Sequence, residues 1–594
     1  MIAKSKTIKH DVISEIFIPA AIAMILTQLV GIIATLIDGV ITSNYYGANA
    51  YSAVSLTSPI INTIVLVAAF ISTGCQIVCS GQIGRGEKKS ANATFSIAII
   101  VSIAIIAFFM IIGFSIPDFL FSICGVTPDE HPEIFPYMQE YIKGYLWGVP
   151  AIVFVQILSP ILVMDNDKKL VTISAFVLCI ADVIGDCIAA QVFNAGNFGM
   201  GLASAIAYYI ELLMLLCHFM RKNCYFKFTL KDWKLSQLLA MFKSGSPTFV
   251  RKLATILRDL FINRFNLVLA LSTAAVAARG IQNDLNVFMF SLGLGIGRVM
   301  ITMTSLYYSA NDKEALKRLF VVAHKVAFYM SGIVGAIMFI FARQVVFIFS
   351  RDPEILDLAV FSVRCMAIGL IFDTLAVTFQ NYLQGIQNLK LVNFMNFGER
   401  FFIPVITALA LGYLFGSKGI LASVAIGKII LAVMMFIMVC VNCKGLPKKL
   451  TDFMFVKPDF GGETEDNYYC ILNTMDDVMT ASNSIEDFCE KHGIDETRKK
   501  HLALYIEEFG GNVVNHGITK NRHGICINMR VHISDNDISL TMRDYCETFD
   551  CTKYYEIHKN ENSTEHLGIR MVMKTAKDVC YVNAFNSNNI IIRL

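Results

Sequence analysis

The stretch Ile429-Ile430-Leu431-Ala432-Val433-Met434-Met435-Phe436-Ile437-Met438-Val439-Cys440-Val441-Asn442-Cys443-Lys444-Gly445-Leu446-Pro447-Lys448-Lys449 closes a long apolar region and opens a polar one, so the chain changes solvent here. Upstream, apolar runs of about 20 residues follow one another, each long enough to cross a bilayer as a helix. Downstream of Gly445 come charges, polar turns and short alternating segments, the pattern of a water-soluble α/β domain. Composition agrees: of 594 residues, 55% are hydrophobic and only 16% are Asp, Glu, Lys or Arg, with a mean hydropathy of +0.57. A soluble chain carries more charge. The net charge of +3 gives no reason to expect nucleic acid. Met1 to Asp11 is short, basic and polar with no small-residue cleavage site after it, so the first apolar run is expected to be retained. The 16 Cys are scattered, many inside apolar runs, and read as reduced packing thiols; Cys440 and Cys443 lack the second pair that a zinc site needs.

Apolar runs centred near Ile25, Val67, Ile105, Phe154, Ile180, Leu212, Asn263, Met289, Met330, Ala376, Val405 and Met434 predict an all-α membrane unit of twelve transmembrane helices. An even number puts both chain ends on one side. Loops after even-numbered helices carry Arg85, Lys88 and Lys89, then Lys168 and Lys169, then Lys313, Lys317 and Arg318, whereas the residues 43–52 have no charge. The positive-inside rule therefore places both termini and the tail in the cytoplasm, on a multi-pass protein of the cytoplasmic membrane. A shift of 225 positions lays Asp38 on Asn263 and Gly84-Arg85-Gly86 on Ser309-Ala310-Asn311. The membrane unit, residues 1–444, thus reads as two six-helix repeats, about residues 12–220 and 240–444, sharing one orientation. Duplicated bundles of this kind are carrier architecture.

Several segments carry a resemblance. Ile18-Pro19, Thr27-Gln28, Asp38, Tyr46-Gly47-Ala48, Ser58-Pro59, Ser72-Thr73-Gly74 and Gly81-Gln82-Ile83-Gly84-Arg85-Gly86 resemble the opening of the multidrug and toxic compound extrusion (MATE) transporters, with Gly245-Ser246-Pro247 opening the second lobe similarly. The resemblance implies a two-lobed antiporter that expels organic, often cationic, compounds in exchange for Na⁺ or H⁺.

Acids inside the bilayer are the candidate coupling groups. Asp38 lies deep in the first helix, and Asp182 and Asp186 lie one turn apart on one face of the fifth. A bare carboxylate there costs several kcal/mol or remains neutral, and neighbouring carboxylates can hold one proton or exchange it for Na⁺. Ser204 offers a further oxygen. The resemblance to the DinF-like branch implies that these positions form the N-lobe cation or proton site, with Asp182 where that branch usually has Asn. In the second lobe Asp259, Asn263 and Asp373 form a second polar set; Arg258 beside Asp259 and Glu399 beside Arg400 favour local ion pairs there.

Residues 445–466 read as a linker, broken by Gly445, Pro447, Pro458 and Gly461-Gly462. Residues 467–594 then predict helices over Met475 to Lys491 and Thr497 to Asn515, and hairpins over Ile525 to Met542 and Val579 to Leu594. Helices covering one antiparallel sheet are expected. Glu508 and Asn512 share a helix face; an Asn oxygen suits Mg²⁺, and a nearby Glu can orient or deprotonate a group attacking a γ-phosphate. Asp544 ends a strand, and Gly568 precedes a helical run whose N-terminus suits phosphate. This order resembles the GHKL ATP-binding α/β sandwich, in particular compact anti-sigma-factor serine kinases. The resemblance implies a Mg²⁺-ATP site with Asn512 on the metal, Asp544 on adenine, Gly568 in the glycine box and Glu508 as catalytic group if the tail is active. Cys546, Thr548 and His566 stand where that family usually has glycine, as does the turn at Asn588.

The expected function is ion-coupled efflux of a small amphipathic or cationic organic compound, regulated through the tail by ATP or by a cytoplasmic protein. The alternatives are a membrane sensor signalling through a serine-kinase-like or docking tail, and a flippase for a lipid-linked precursor. Membrane lipids are the expected surroundings, with Lys448 and Lys449 suited to anionic headgroups.

Overall fold

The computed structural model describes residues 12–123, 133–221, 224–268, 273–457, 460–462, 465–518, 524–534, 537–559, 567–584 and 587–594. The first repeat contains α1 (Val12–Gly84), α2 (Lys88–Ser115), α3 (Pro117–Ile123), α4 (Phe135–Leu146), α5 (Val149–Met164), α6 (Lys168–Gln191) and α7 (Gly196–Leu216). The second contains α8 (Leu235–Val268), α9 (Thr273–Ser309), α10 (Lys313–Ile340), α11 (Ala342–Phe349), α12 (Pro353–Gly385), α13 (Leu389–Phe397) and α14 (Ile403–Asn442). Side chains at some positions of α1, α3, α8 and α9, among them Asp259 and Asn263, lie outside the described residues.

Among the described residues nine helices are long and apolar enough to cross a membrane, or ten if α4 and α5, bent by 53°, count as one span. Two of the helical stretches turn on glycine. Gly47 breaks α1 with φ 83°, and Gly416 breaks α14 with φ 58°, backbone regions that side chains with a Cβ rarely adopt. Large apolar side chains such as Ile103, Phe108 and Ile111 point outward from α2, as hydrocarbon contact requires.

Small residues set how closely helices approach. A Cβ on Gly144 would lie 2.3 Å from the Phe198 carbonyl oxygen, so α4 and α7 meet backbone to backbone within the first lobe. The two lobes close on each other at one end of the bundle by the same means. A Cβ on Gly84 would lie 2.1 Å from the Leu306 carbonyl oxygen and one on Gly81 2.7 Å from Ser309 Oγ. Ser305 Oγ donates to the Ile77 carbonyl at 2.7 Å across that seam. This end also carries the C-terminal domain, and is called the domain end.

The C-terminal domain comprises β1 (Asn467–Leu472), α15 (Met475–Lys491), α16 (Glu496–His516), β2 (Ile527–Ile533), β3 (Ile538–Asp544), α17 (Cys551–His558), α18 (Leu567–Thr575), β4 (Asp578–Ala584) and β5 (Ser587–Arg593). The strands form one antiparallel sheet in the order β1-β2-β3-β5-β4. Thr474 and Asp477 form a capping box at α15, and Asp495 caps α16 through the Arg498 N–H. Met529, Val531, Leu540, Met542, Ile590 and Ile592 turn to one face and bury against Ile485, Tyr505 and Ile506 of the helices. Alternation sends Tyr469, Arg530, Arg543, Val582 and Arg593 to the opposite face, and Val582 and Ala584 pack into the core of the membrane unit.

Candidate functional site

In the first lobe, α1 and α6 bring Asp38, Asp182 and Asp186 into the interior, where they are 7%, 8% and 0% exposed. Thr42, one turn beyond Asp38, donates its hydroxyl to the Asp38 carbonyl at 2.9 Å and lies 3.4 Å from Oδ1. Tyr141 of α4 lies beside Asp38, and Ser204 of α7 beside Asp182. Asp182 Oδ1 and both oxygens of Asp186 are buried with no hydrogen-bond partner among the described residues. Tyr141, Tyr145, Ile152 and Met200 pack together beside them with Ile41. No described Lys or Arg forms an ion pair with any of the three acids. The site is a set of bare acceptors rimmed by hydroxyls, which suits a small cation with hard-oxygen preference or a shared proton. Four residues that the sequence reading left out belong to this region. Thr42, Tyr141 and Tyr145 gave no signal, because which faces of α1 and α4 turn inward is set by packing. Glu211 of α7 did: it is an acid in the middle of an apolar run, 5% exposed.

The second lobe holds charge differently. A π-helical turn over Gly398–Phe402 swings both Glu399 and Arg400 inward. Lys428 Nζ pairs with Asp373 and lies 3.0 Å from Glu399 Oε1, which also meets Arg400 Nη2 at 3.0 Å. Arg400 stacks 4.3 Å over the Phe290 ring, and Arg251 donates to Asn396 Oδ1 at 3.3 Å. Asp373 is thus brought together with Glu399, not left bare, and these two acids are met by Lys428 and Arg400. The Glu399 and Arg400 pairing is legible in sequence; the partnership of Lys428 is not.

A family model described as MatE matches residues 19–188 and 247–409. The chain belongs to the MatE family. This MatE chain is 22% identical over 415 residues to the multidrug export protein MepA of Staphylococcus haemolyticus, covering 68% of this chain and 90% of that protein. It is 21% identical over 460 residues to the probable multidrug resistance protein NorM of Photorhabdus laumondii, covering 72% of this chain and 96% of that one. Among solved structures, the outward-facing conformation of a multidrug resistance MATE family transporter of the MOP superfamily superposes with a TM-score of 0.67 at 20% identity, covering 71% of this chain and 94% of that one. That likeness establishes a shared fold. The family match stops at residue 409, so the C-terminal domain of this MatE chain lies outside it.

In that domain Glu508 and Asn512 sit on α16, Asp544 ends β3, and Gly568 falls in the first turn of α18. A Cβ on Gly568 would meet the Glu508 carboxylate at 1.8 Å, so that carboxylate fills the space before the helix N-terminus. Burial, then the neighbouring Glu507, raises the Glu508 carboxyl above its usual range. Asp544 is buried, and its Oδ1 accepts from the Cys546 N–H at 2.9 Å and from Asn588 Nδ2 at 2.8 Å. Cys546 in turn crowds Gly517, where a Cβ would lie 2.9 Å from its Sγ. His566 lies outside the described residues. In this arrangement the acid meant for adenine is bonded inside the domain, and the helix terminus meant for phosphate faces a carboxylate. The residues present do not fit Mg²⁺-ATP as they stand.

Proposed function

We propose that this protein is a cation-coupled exporter of small amphipathic or cationic organic compounds, working by alternating access. The observation that carries the reading is the trio Asp38, Asp182 and Asp186, with Asp182 Oδ1 and both Asp186 oxygens buried and unpartnered. Buried acids without a counter-charge are too costly to serve as packing, and a carrier that loads and releases Na⁺ or H⁺ gives them a use. The multidrug export names of its relatives MepA and NorM support the substrate class. We read α14 as two passes broken at Gly416 and α8 as a further one, which supports a count of twelve, and the basic loops support a cytoplasmic domain end, termini and tail. For the tail we favour a docking role over phosphoryl transfer, because β4 of its sheet packs Val582 and Ala584 into the membrane unit's core; a GHKL-type ancestry accounts for its helix-and-sheet order. Purified protein in liposomes, preloaded with a fluorescent organic cation and given an inward Na⁺ or H⁺ gradient, tests the proposal. Gradient-dependent export is expected. Export equal to that of empty liposomes under both gradients would overturn it.

A further inference from the structure

The C-terminal sheet touches both lobes at once. β4 and β5 hold the first lobe: Cys580 Sγ donates to the Gly86 carbonyl at 3.4 Å, Arg593 Nη2 donates to the Arg85 carbonyl at 3.2 Å, and Asn166 donates to the Asn583 carbonyl at 3.1 Å. Asn166 stands at φ 69° in a turn flanked by Asp165 and Asp167. Each of these acids lies 2.9 Å from one ring nitrogen of His218, so the turn is held rigidly in place.

The strands at the other side of the sheet hold the second lobe. Arg543 Nη1 lies 3.4 Å from Asp312 Oδ2 and its guanidinium 4.6 Å over Tyr307; Tyr469 donates its hydroxyl to Asp312 Oδ1 at 3.3 Å. Arg530 Nη1 donates to the Ala310 carbonyl at 3.3 Å, and in the linker the Gly461 N–H donates to Asn311 Oδ1 at 3.0 Å. Arg530, Arg543 and Asp312 are 7%, 6% and 5% exposed, which is unusual for charged residues unless they are partnered. The lobes meet between these two sets of contacts, at Gly84 against Leu306.

A five-stranded sheet is a stiff body, and its grips on the two lobes run from β1, β2 and β3 on one side to β5 and β4 on the other, across four strand spacings or roughly 19 Å. If the lobes rock apart at this end, a stiff sheet cannot stay bonded to both. We infer that the C-terminal domain is a latch across the lobe seam, which holds the domain end closed and must release one lobe before that end opens to load substrate. The inference rests on the alternating-access reading above. The function it assigns to the tail is control of transport by a contact within the chain, so that anything binding the sheet face in competition with Asp312 or Asn166 would activate export.

The test keeps the tail intact by changing only the membrane unit. Asp312→Asn retains the cap on α10, which Asn also supplies, and removes the charge that Arg543 faces. Asn166→Gly retains the left-handed turn and removes the amide. Spin labels are placed at Lys89 and Lys317 of full-length protein in nanodiscs through unnatural amino acids, since the chain has 16 Cys, and the distance between the lobes is read by pulsed electron resonance. Wild type is expected to show one short distance, and each variant a long-distance population larger by roughly fivefold or more. Identical distributions in wild type and both variants would overturn the latch. Opening in the variants without any gain in export from liposomes would leave the latch standing and count against the transport proposal instead.

Discussion

Asn588 donates its side-chain amide to Asp544 Oδ1 at 2.8 Å, while its own amide oxygen accepts from the Tyr581 hydroxyl and the Asn583 amide, both at 2.6 Å. One residue of β5, not of the turn as its sequence suggests, thereby ties the end of β3 to the β4–β5 hairpin and occupies the acid on which adenine recognition would depend. Titration of the full-length protein with Mg²⁺-ATP by calorimetry is expected to give no saturable heat. A saturable signal that disappears in Asn512→Ala would show that the domain rearranges to accept nucleotide. Asn588→Ala leaves a buried carboxylate and a tyrosine hydroxyl short of partners, a loss of about 1–3 kcal/mol. Backbone hydrogen exchange in β3, β4 and β5 should then accelerate by about tenfold or more, with α1 to α14 unchanged.

The charge cluster of the second lobe makes an opposite kind of prediction from the first. Lys428 serves both Asp373 and Glu399, so Lys428→Met strands two buried acids with Arg400 and Arg251 as the other cations near them among the described residues. Breaking a buried ion pair from one side costs about 3–5 kcal/mol, whereas removing both partners costs much less. In detergent, Lys428→Met should lower the unfolding temperature by several degrees, and Asp373→Asn combined with Lys428→Met should recover most of the difference. An equal or larger loss in the double variant would mean that Asp373 has a role that Lys428 does not explain.

Burial makes the tail pH-sensitive at Glu508. Glu508 has its carboxyl raised above the ordinary value of 4.5, first by burial and then by Glu507. The sign follows from linkage: the neutral form is favoured on folding, so its contribution is complete below 4.5 and is lost as pH rises through the raised value. Glu508→Gln should match wild type in acid and protect α16 better at neutral pH, as read from hydrogen exchange corrected for intrinsic rates. Equal protection at neutral pH in the two proteins would remove the desolvation argument.

The solvent change at Gly445, the apolar runs and the helix-then-hairpin order of the tail were legible because each rests on local periodicity. Strand β1 and helix α17 were not: Asn467–Leu472 lacks clean alternation and Cys551–His558 is short, so neither announces itself without the partners that bury it. The same division runs through the site. Asp38, Asp182 and Asp186 stand out because charge in an apolar run is conspicuous from sequence alone. Lys428 stood in the same plain view, but its meaning depends on the turn at Gly398–Phe402 bringing Glu399 across to it. The lobe contacts of Arg530, Arg543 and Arg593 are invisible by nature, since a strand pattern tells which residues share a face and not what that face meets.

Asp186 carries the sharpest prediction about transport. Both its oxygens are buried without a partner among the described residues, and Asp38 and Asp182 lie near enough for their charges to act on it. Three such acids cannot all be ionised at once in a low-dielectric interior, so the site exists in alternative charge states unless a cation is bound. An Asn at position 186 or 38 fixes one member as neutral and can neither release a proton nor contribute a carboxylate to Na⁺. Asp186→Asn and Asp38→Asn should therefore reach the membrane at wild-type levels and exchange labelled substrate across it at equal concentrations. Net export driven by an ion gradient should fall by about tenfold or more, because exchange needs only the substrate path whereas uphill export needs the coupled ion. Undiminished gradient-driven export in both variants would remove these carboxylates from the coupling mechanism and direct attention to Glu211, a further buried acid on α7.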